Sequence, residues 1–171
     1  DYRFDPVEYK TLTNGITDYS VSPNGKQTAF VIRGEVFVTE NSKDKRKVVN
    51  VSDNPYRDRD VAWLNDTTLV YVSDREGQGD LYLLKSADKS KANLMKTLKY
   101  ETIRLTDTEE EESSPIISTD GKQLAFVKGA GSLIVCDIDK SGKMTNQKTL
   151  VNSWTAPSGV SWSPDNKWLA Y

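Results

Sequence analysis

The segment SPNGKQTAF (residues 22–30) returns as STDGKQLAF (118–126) and again as SPDNKWLAY (163–171). In S-P-N-G-K the Pro presets φ for the first corner of a turn, the Asn or Asp bonds back to the local backbone, and the Gly accepts a left-handed conformation. Asn166 stands where the other copies carry that Gly, and Asn is the next most tolerant residue there. The phrase therefore reads as the turn of a β-hairpin, repeated because the hairpin repeats.

Working outward from the turn, a longer unit recurs four times. Each unit opens with a short strand ending in small polar residues: YKTLTNG (9–15), KVVNVSD (47–53), ETIRLTD (101–107) and KTLVNSW (148–154). A second strand follows (YSVS, VAWL, PIIS, VSWS), then the turn (PNGK, ND, TDGK, PDNK), then QTAFVIR, TTLVYVSD, QLAFVKG and WLAY. The first three units add a final strand, EVFVTE, LYLLK or LIVCDI. The apolar runs AFVI, LVYV, AFV and LIVC are continuous instead of alternating, as in strands covered on both faces, and their β-branched and aromatic content favours strand over helix.

Anchored on Ala29, Val70, Ala125 and Ala170, the periods are 41, 55 and 45 residues. Four short strands per unit of that length is the pattern of a β-propeller blade. The expected fold is all-β, with about three complete four-stranded blades plus part of a fourth in one domain over 1–171. The repeat units run over about 8–46, 47–100, 101–147 and 148–171. The long second period holds an insertion, KSADKSKANLMKTLKY (85–100), which reads as an extended surface loop or, through Leu94, Met95 and Leu98, as a short amphipathic turn or hairpin extension. The opening strand has no preceding blade and the last two strands have no outer partners. The chain is accordingly expected to be the front of a larger ring, whose open strand edges favour self-association.

Hydrophobic residues make up 36% of the chain and charged residues 28%, with mean hydropathy −0.62, the balance of a globular chain and not of a disordered one. No apolar run approaches bilayer length and the N-terminus lacks the pattern of a signal peptide, so membrane insertion is not expected. The net charge of −2 and pI near 5.3 argue against a general nucleic-acid binder. The basic tip KDKRK (43–47) has no stacking aromatics beside it to change that. The single cysteine, Cys136, leaves the compartment open between periplasm and cytoplasm of a prokaryote, and it alternates with Ile134 and Ile138 as a small buried hydrophobe would. Histidine is absent, which removes any Ser-His or Cys-His pair and any His-ligated zinc. No cofactor, metal or catalytic residue is expected within this chain.

With the strands placed, SPNGKQTAF, RGEVFV (33–38), VYVSDREGQGDLYLL (70–84) and WSPDNKWLAY (162–171) resemble the propeller repeats of tricorn-type proteases. The resemblance covers nearly the whole chain and is weakest over 85–100 and 139–148. Tol-system periplasmic propellers and those of the prolyl oligopeptidase group share the same hairpin. The resemblance implies a non-catalytic propeller that filters or guides peptides toward a separate serine peptidase core, to which the catalytic Ser and His belong. Its alternatives are a Tol-type protein-interaction propeller in the cell envelope and the gating propeller of a prolyl oligopeptidase-type enzyme. Thr119 in place of Pro, and the shorter turn at Asn65 and Asp66, depart from the family pattern.

The candidate contacts to a peptide or partner, which includes the rest of a parent protein, are Glu109, Glu110, Glu111 and Glu112 in one loop, and Asp74, Arg75 and Glu76 in a glycine-rich hairpin that ends at Asp80. An acidic run also has the plain reading of a solvated loop. Arg75 suits a peptide carboxylate, or else an acid of the neighbouring blade. Trp63, Trp154, Trp162 and Trp168 offer stacking surfaces or, for those in apolar strands, packing between blades. Sorting loops by the end of the blade they occupy separates charge. Loops 33–35, 51–60, 74–80, 106–114 and 128–132 total −7, and loops 24–27, 40–47, 65–67, 85–99, 120–122, 137–148 and 165–167 total +7. An acidic face and a basic face are therefore expected, with the acidic one toward the partner.

Overall fold

The computed structural model describes residues 14–44 and 47–171. The strand expected over 9–15 lies almost entirely outside these residues, as does part of the 43–47 tip. Three four-stranded antiparallel sheets follow one another along the chain. The first holds β1 (Ile16–Val21), β2 (Gln27–Ile32), β3 (Glu35–Glu40) and β4 (Val48–Asn50). The second holds β5 (Asp58–Asn65), β6 (Thr68–Ser73), β7 (Asp80–Ser86) and β8 (Tyr100–Arg104). The third holds β9 (Glu112–Ile117), β10 (Gln123–Lys128), β11 (Ser132–Ile138) and β12 (Met144–Asn152), and β13 (Ser161–Trp162) pairs with β14 (Leu169–Ala170). Among the described residues there is no helix, and so none long and apolar enough to cross a membrane.

The strand that opens each sequence unit closes the sheet of the unit before it. β4, β8 and β12 pair with β3, β7 and β11 respectively. This is the phase that the strand order implies, each unit opening on the outer strand of the blade before it.

The repeated turn folds the same way three times. Ser22, Ser118 and Ser163 donate from Oγ to Asn24, Asp120 and Asp165, at 2.9, 2.7 and 2.6 Å. Each serine Oγ then accepts the backbone N–H that starts the next strand, from Gln27, Gln123 and Trp168. Gly25 and Gly121 sit at φ of 70° and 69°, and Asn166 takes the same position at 57°. The three short polar side chains thus satisfy the turn backbone that no strand can reach.

The sheets pack face to face. Strand β6 is buried at all six positions because alternate side chains enter different cores. Leu69 and Tyr71 join Val36, Val38 and Leu84 between the first and second sheets. Val70 and Val72 join Leu81, Leu83, Leu124, Phe126 and Cys136 between the second and third. This is why the apolar run is continuous: both faces of the pleat are interior. Full burial of each such side chain contributes about 1.5–3 kcal/mol.

The insertion departs from the expected extended surface loop. Leu94 and Met95 are buried in the first core, while Leu98 is 91% exposed. Tyr100 donates its hydroxyl to the Leu94 carbonyl at 2.9 Å, Asn93 Oδ1 accepts the Met95 N–H at 2.8 Å, and Ser86 and Thr97 hydroxyls bond at 2.8 Å. The segment is a local turn, pinned by its own apolar residues to the seam between two sheets.

The first strands of the sheets lie side by side, β1 against β5 and β5 against β9 and β9 against β13. β1, β5 and β9 each carry a register shift at the corresponding place, which steepens the local twist. Each sheet then grips the next. Asp18 accepts the Val61 N–H at 2.6 Å and Asp60 accepts the Ser114 N–H at 2.9 Å. Trp63 donates its indole N–H to the Ser20 carbonyl at 3.0 Å, and Trp162 repeats this on Ile116 at 3.2 Å.

Candidate functional site

Four consecutive glutamates meet four different environments. Glu112 opens β9 and is fully buried, accepting from Thr106 Oγ1 at 2.9 Å and Thr108 Oγ1 at 2.6 Å. Burial pushes its pKa above the usual carboxylate value, and the nearby Asp80 adds to the shift. The reading of the whole run as a solvated loop is thus corrected at Glu112. Its side chain falls on the inner face of the sheet, where the strand's alternation places it. Glu111 pairs with Arg59 at 2.7 Å and Glu110 with Lys128 at 3.4 Å, while Glu109 is exposed.

The other candidates sit at the same end of the molecule. Asp74 accepts the Arg57 N–H at 2.8 Å, tying the loop before β5 to the hairpin between β6 and β7. Arg75 lies over the Tyr82 ring at 4.4 Å and donates to Tyr71 Oη at 2.7 Å and Ser73 Oγ at 3.1 Å. Its acid is Asp58, at 3.6 Å. Asp58 belongs to the same sheet as Arg75, so the expected pairing with a neighbouring blade gives way to one inside the blade, because strands β5 and β6 set residues 58 and 73 opposite each other. Burial, reinforced by the Asp58 charge, pushes the Tyr71 hydroxyl up to about 12, so it stays a protonated donor and acceptor. Glu76 is exposed. Gln78 donates to the Thr108 carbonyl, linking this hairpin to the acidic loop.

Two arginines that the sequence reading passed over complete this end. Arg59 bridges Asp60 and Glu111, each at 2.7 Å. Arg104 holds the buried Asp80 at 2.7 Å and Asp107 at 2.9 Å. Arg59 stands at a strand end between two acids and Arg104 at a strand end three residues before Asp107, which was the available signal. Much of the acidic charge is therefore paired locally, while Glu109, Asp74 and Glu76 are exposed and make no ion pair among the described residues.

Two concavities follow the seam of first strands. A cleft of about 560 Å³ at the acidic end lies between the first two sheets, lined by Asp18, Arg33, Tyr56, Arg57, Asp58 and Asp60. A groove of about 440 Å³ crosses β1, β5 and β9 toward the 22–26 and 118–122 turns, lined by Tyr19, Val21, Ala62, Trp63, Pro115 and Ile117. Tyr19 is 69% exposed there and Val21 50%. Trp63 is core, whereas Trp168 is 74% exposed despite adjoining an apolar strand, and Trp154 is 99% exposed. Cys136 is buried, and burial pushes its thiol up to about 11, away from reactive thiolate. Among the described residues, no three Asp, Glu, Cys or His side chains converge to hold a metal ion.

Consecutive four-stranded antiparallel meanders, packed face to face with their first strands adjacent, define a partial β-propeller. Comparison with solved structures agrees. The β-propeller domain of Cps50 (Swd1) from Myceliophteria thermophila matches with TM-score 0.64 at 12% identity, over 94% of this chain and 49% of that one. TolB from Acinetobacter baumannii matches with TM-score 0.61 at 22% identity, over 94% and 38%. The tricorn protease matches with TM-score 0.61 at 16% identity, over 94% and 15%. The chain spans less than half the length of each of these three. No protein-family model matches the sequence, and no curated protein is significantly similar to it.

Proposed function

We propose that this chain is the protein- or peptide-recognising propeller segment of a longer protein, holding an extended segment along the seam of its first strands with its acidic end toward the partner. The observation that carries this reading is the groove over β1, β5 and β9. It exposes Tyr19 and Val21 on strands that the Asp18, Asp60 and Trp63 bonds lock to one another. A rigid wall with exposed aromatic and aliphatic surface binds without first being ordered. The fold shared with the tricorn protease supports the finer reading, in which peptides pass to a separate serine peptidase core. A second reading, an envelope scaffold that binds a protein, draws on the same propeller fold shared with TolB.

Labelled extended peptides of basic and acidic composition, followed by stopped-flow anisotropy across a salt series, test the shared claim. Tyr19→Ala is expected to weaken both classes about tenfold. Converting Glu109, Glu110 and Glu111 to glutamine is expected to slow association of basic peptides only, and mainly at low salt, since charges beyond a Debye length of about 8 Å are screened at physiological strength. Unchanged affinity in Tyr19→Ala, with equal rates for both peptide classes, overturns the proposal. The chain alone, which has no histidine, is expected to leave fluorogenic peptides intact. Saturable hydrolysis by the purified chain would contradict that.

A further inference from the structure

Beyond that reading, we propose that Asp80 and Glu112 share one proton, and that this proton is the latch by which the acidic loop between β8 and β9 is held on the second sheet. Both residues are fully buried. The backbone brings them together from two directions. The Glu112 N–H donates at 2.6 Å to the carbonyl of Gly79, the residue before Asp80. The N–H of Leu81, the residue after it, donates at 2.8 Å to Thr106 Oγ1, which in turn donates to Glu112 Oε2 at 2.9 Å. The two carboxyl groups are thereby left within hydrogen-bonding reach of each other. Carboxylate oxygens only accept, so a bond between the two requires a proton on one of them.

The surrounding charges decide where that proton sits. Asp80 Oδ2 takes Arg104 at 2.7 Å, whereas its Oδ1 is buried without a donor. Glu112 has only the hydroxyls of Thr106 and Thr108 on its oxygens. Every cation near it is engaged by another acid. Arg104 binds Asp80 and Asp107, Lys128 binds Glu110, and Arg75, stacked on Tyr82, lies against Asp58. Arg59 binds Asp60 and Glu111 and reaches only the backbone carbonyl of Glu112. A proton on Glu112 therefore supplies the donor that Asp80 Oδ1 lacks, while Arg104 keeps the charge on Asp80. Burial first, and then Asp80, raise the Glu112 carboxyl in the same sense, against the two threonine hydroxyls.

Loss of the proton leaves two like charges side by side in a buried space with one guanidinium between them. Glu112 is the one free to leave, because it is the first residue of β9 and adjoins the loop. Its departure takes from Thr106 and Thr108 the acceptor that fastens them. The loop that carries Glu109, Glu110 and Glu111 is thus held while the pair keeps its proton, and is loosened as pH rises through the raised value.

Amide hydrogen exchange and carboxyl carbon NMR on the full chain test the latch, and neither needs a partner. As pH is raised from about 5 to about 8, protection of the Glu112 and Leu81 amides, corrected for the intrinsic rate, is expected to fall by about tenfold or more. The Ser118 amide, bonded to the Gln123 carbonyl just past β9, is expected to stay constant. In Glu112→Gln the side-chain N–H can stand in for the proton toward Asp80 Oδ1, and the fall should vanish. The carboxyl carbons of Asp80 and Glu112 should shift together through one midpoint above 4.5. If the glutamine variant fails to fold, that titration of the parent still decides. Constant protection in the parent, an equal fall in Glu112→Gln, or a Glu112 carbon that titrates at or below 4.5 overturns the proposal.

Discussion

Thr119 and Asn166, which stand where other copies of the repeated turn carry Pro and Gly, bond to each other. Asn166 Oδ1 accepts from the Thr119 N–H at 2.8 Å and from its hydroxyl at 2.7 Å. The third and fourth turns are thereby joined, as the first and second are where Asp66 accepts the Asn24 N–H at 2.9 Å. What looks like two tolerated variants in the sequence is one contact between neighbouring sheets.

Thr119→Pro would restore the pattern of the other copies, and Pro is sterically acceptable where Pro23 and Pro164 already sit. A compatible Pro ordinarily stabilises by about 0.4–1 kcal/mol through the unfolded chain. Here it removes both donors to Asn166, each worth about 0.5–1.5 kcal/mol. The expected outcome is a net loss of stability of about 1 kcal/mol in urea denaturation, and a gain would show that the bridge contributes nothing.

Leu94 and Leu98 lie one turn apart in the insertion and are expected to behave oppositely. Leu94→Ala deletes a side chain buried between two sheets and should cost about 2–5 kcal/mol, whereas Leu98→Ala should stay within about 0.5 kcal/mol of the parent. Paired denaturation curves check this. Equal effects would mean that the insertion is not anchored.

Glu112 should give stability a dependence on pH. Burial raises its pKa in the folded chain above the ordinary 4.5, so the folded state holds the proton more tightly than the unfolded state. That contribution is complete below 4.5 and is lost as pH rises through the raised value. Asp18 shifts in the same direction, again chiefly through burial, while Asp120 and Asp165 are lowered by serine hydroxyl bonds and act oppositely. The difference between parent and Glu112→Gln isolates the one group. Relative to the parent, the variant is expected to gain in melting temperature as pH is raised from 4 to 7, and a constant offset would remove Glu112 as the cause.

Arg75→Lys keeps the charge but loses the planar stack on Tyr82 and the fork that reaches Tyr71 and Ser73. A destabilisation of about 1–3 kcal/mol is expected, since Asp58 and the Tyr71 hydroxyl remain buried with poorer partners. In an Asp58→Asn background the same substitution should cost less. Additive effects in that double-mutant cycle would show that the two side chains are not coupled.

The all-β architecture, the hairpins and the continuous apolar strands were legible along the chain, because turn chemistry and burial pattern are local properties read at spacings of a few residues. Asn166 in the left-handed position was legible for the same reason. Which side chains meet across sheets was not, because it depends on twist and on the placement of one sheet against the next. Only the tertiary structure turned four adjacent glutamates into one buried acid, two ion pairs and one exposed group. It also gave Arg75 an acid in its own sheet and sank Leu94 and Met95 of the insertion into the core. Local sequence determined what each strand and turn would be; the packing of one sheet on another decided which polar groups are spent on structure and which are left to meet a partner.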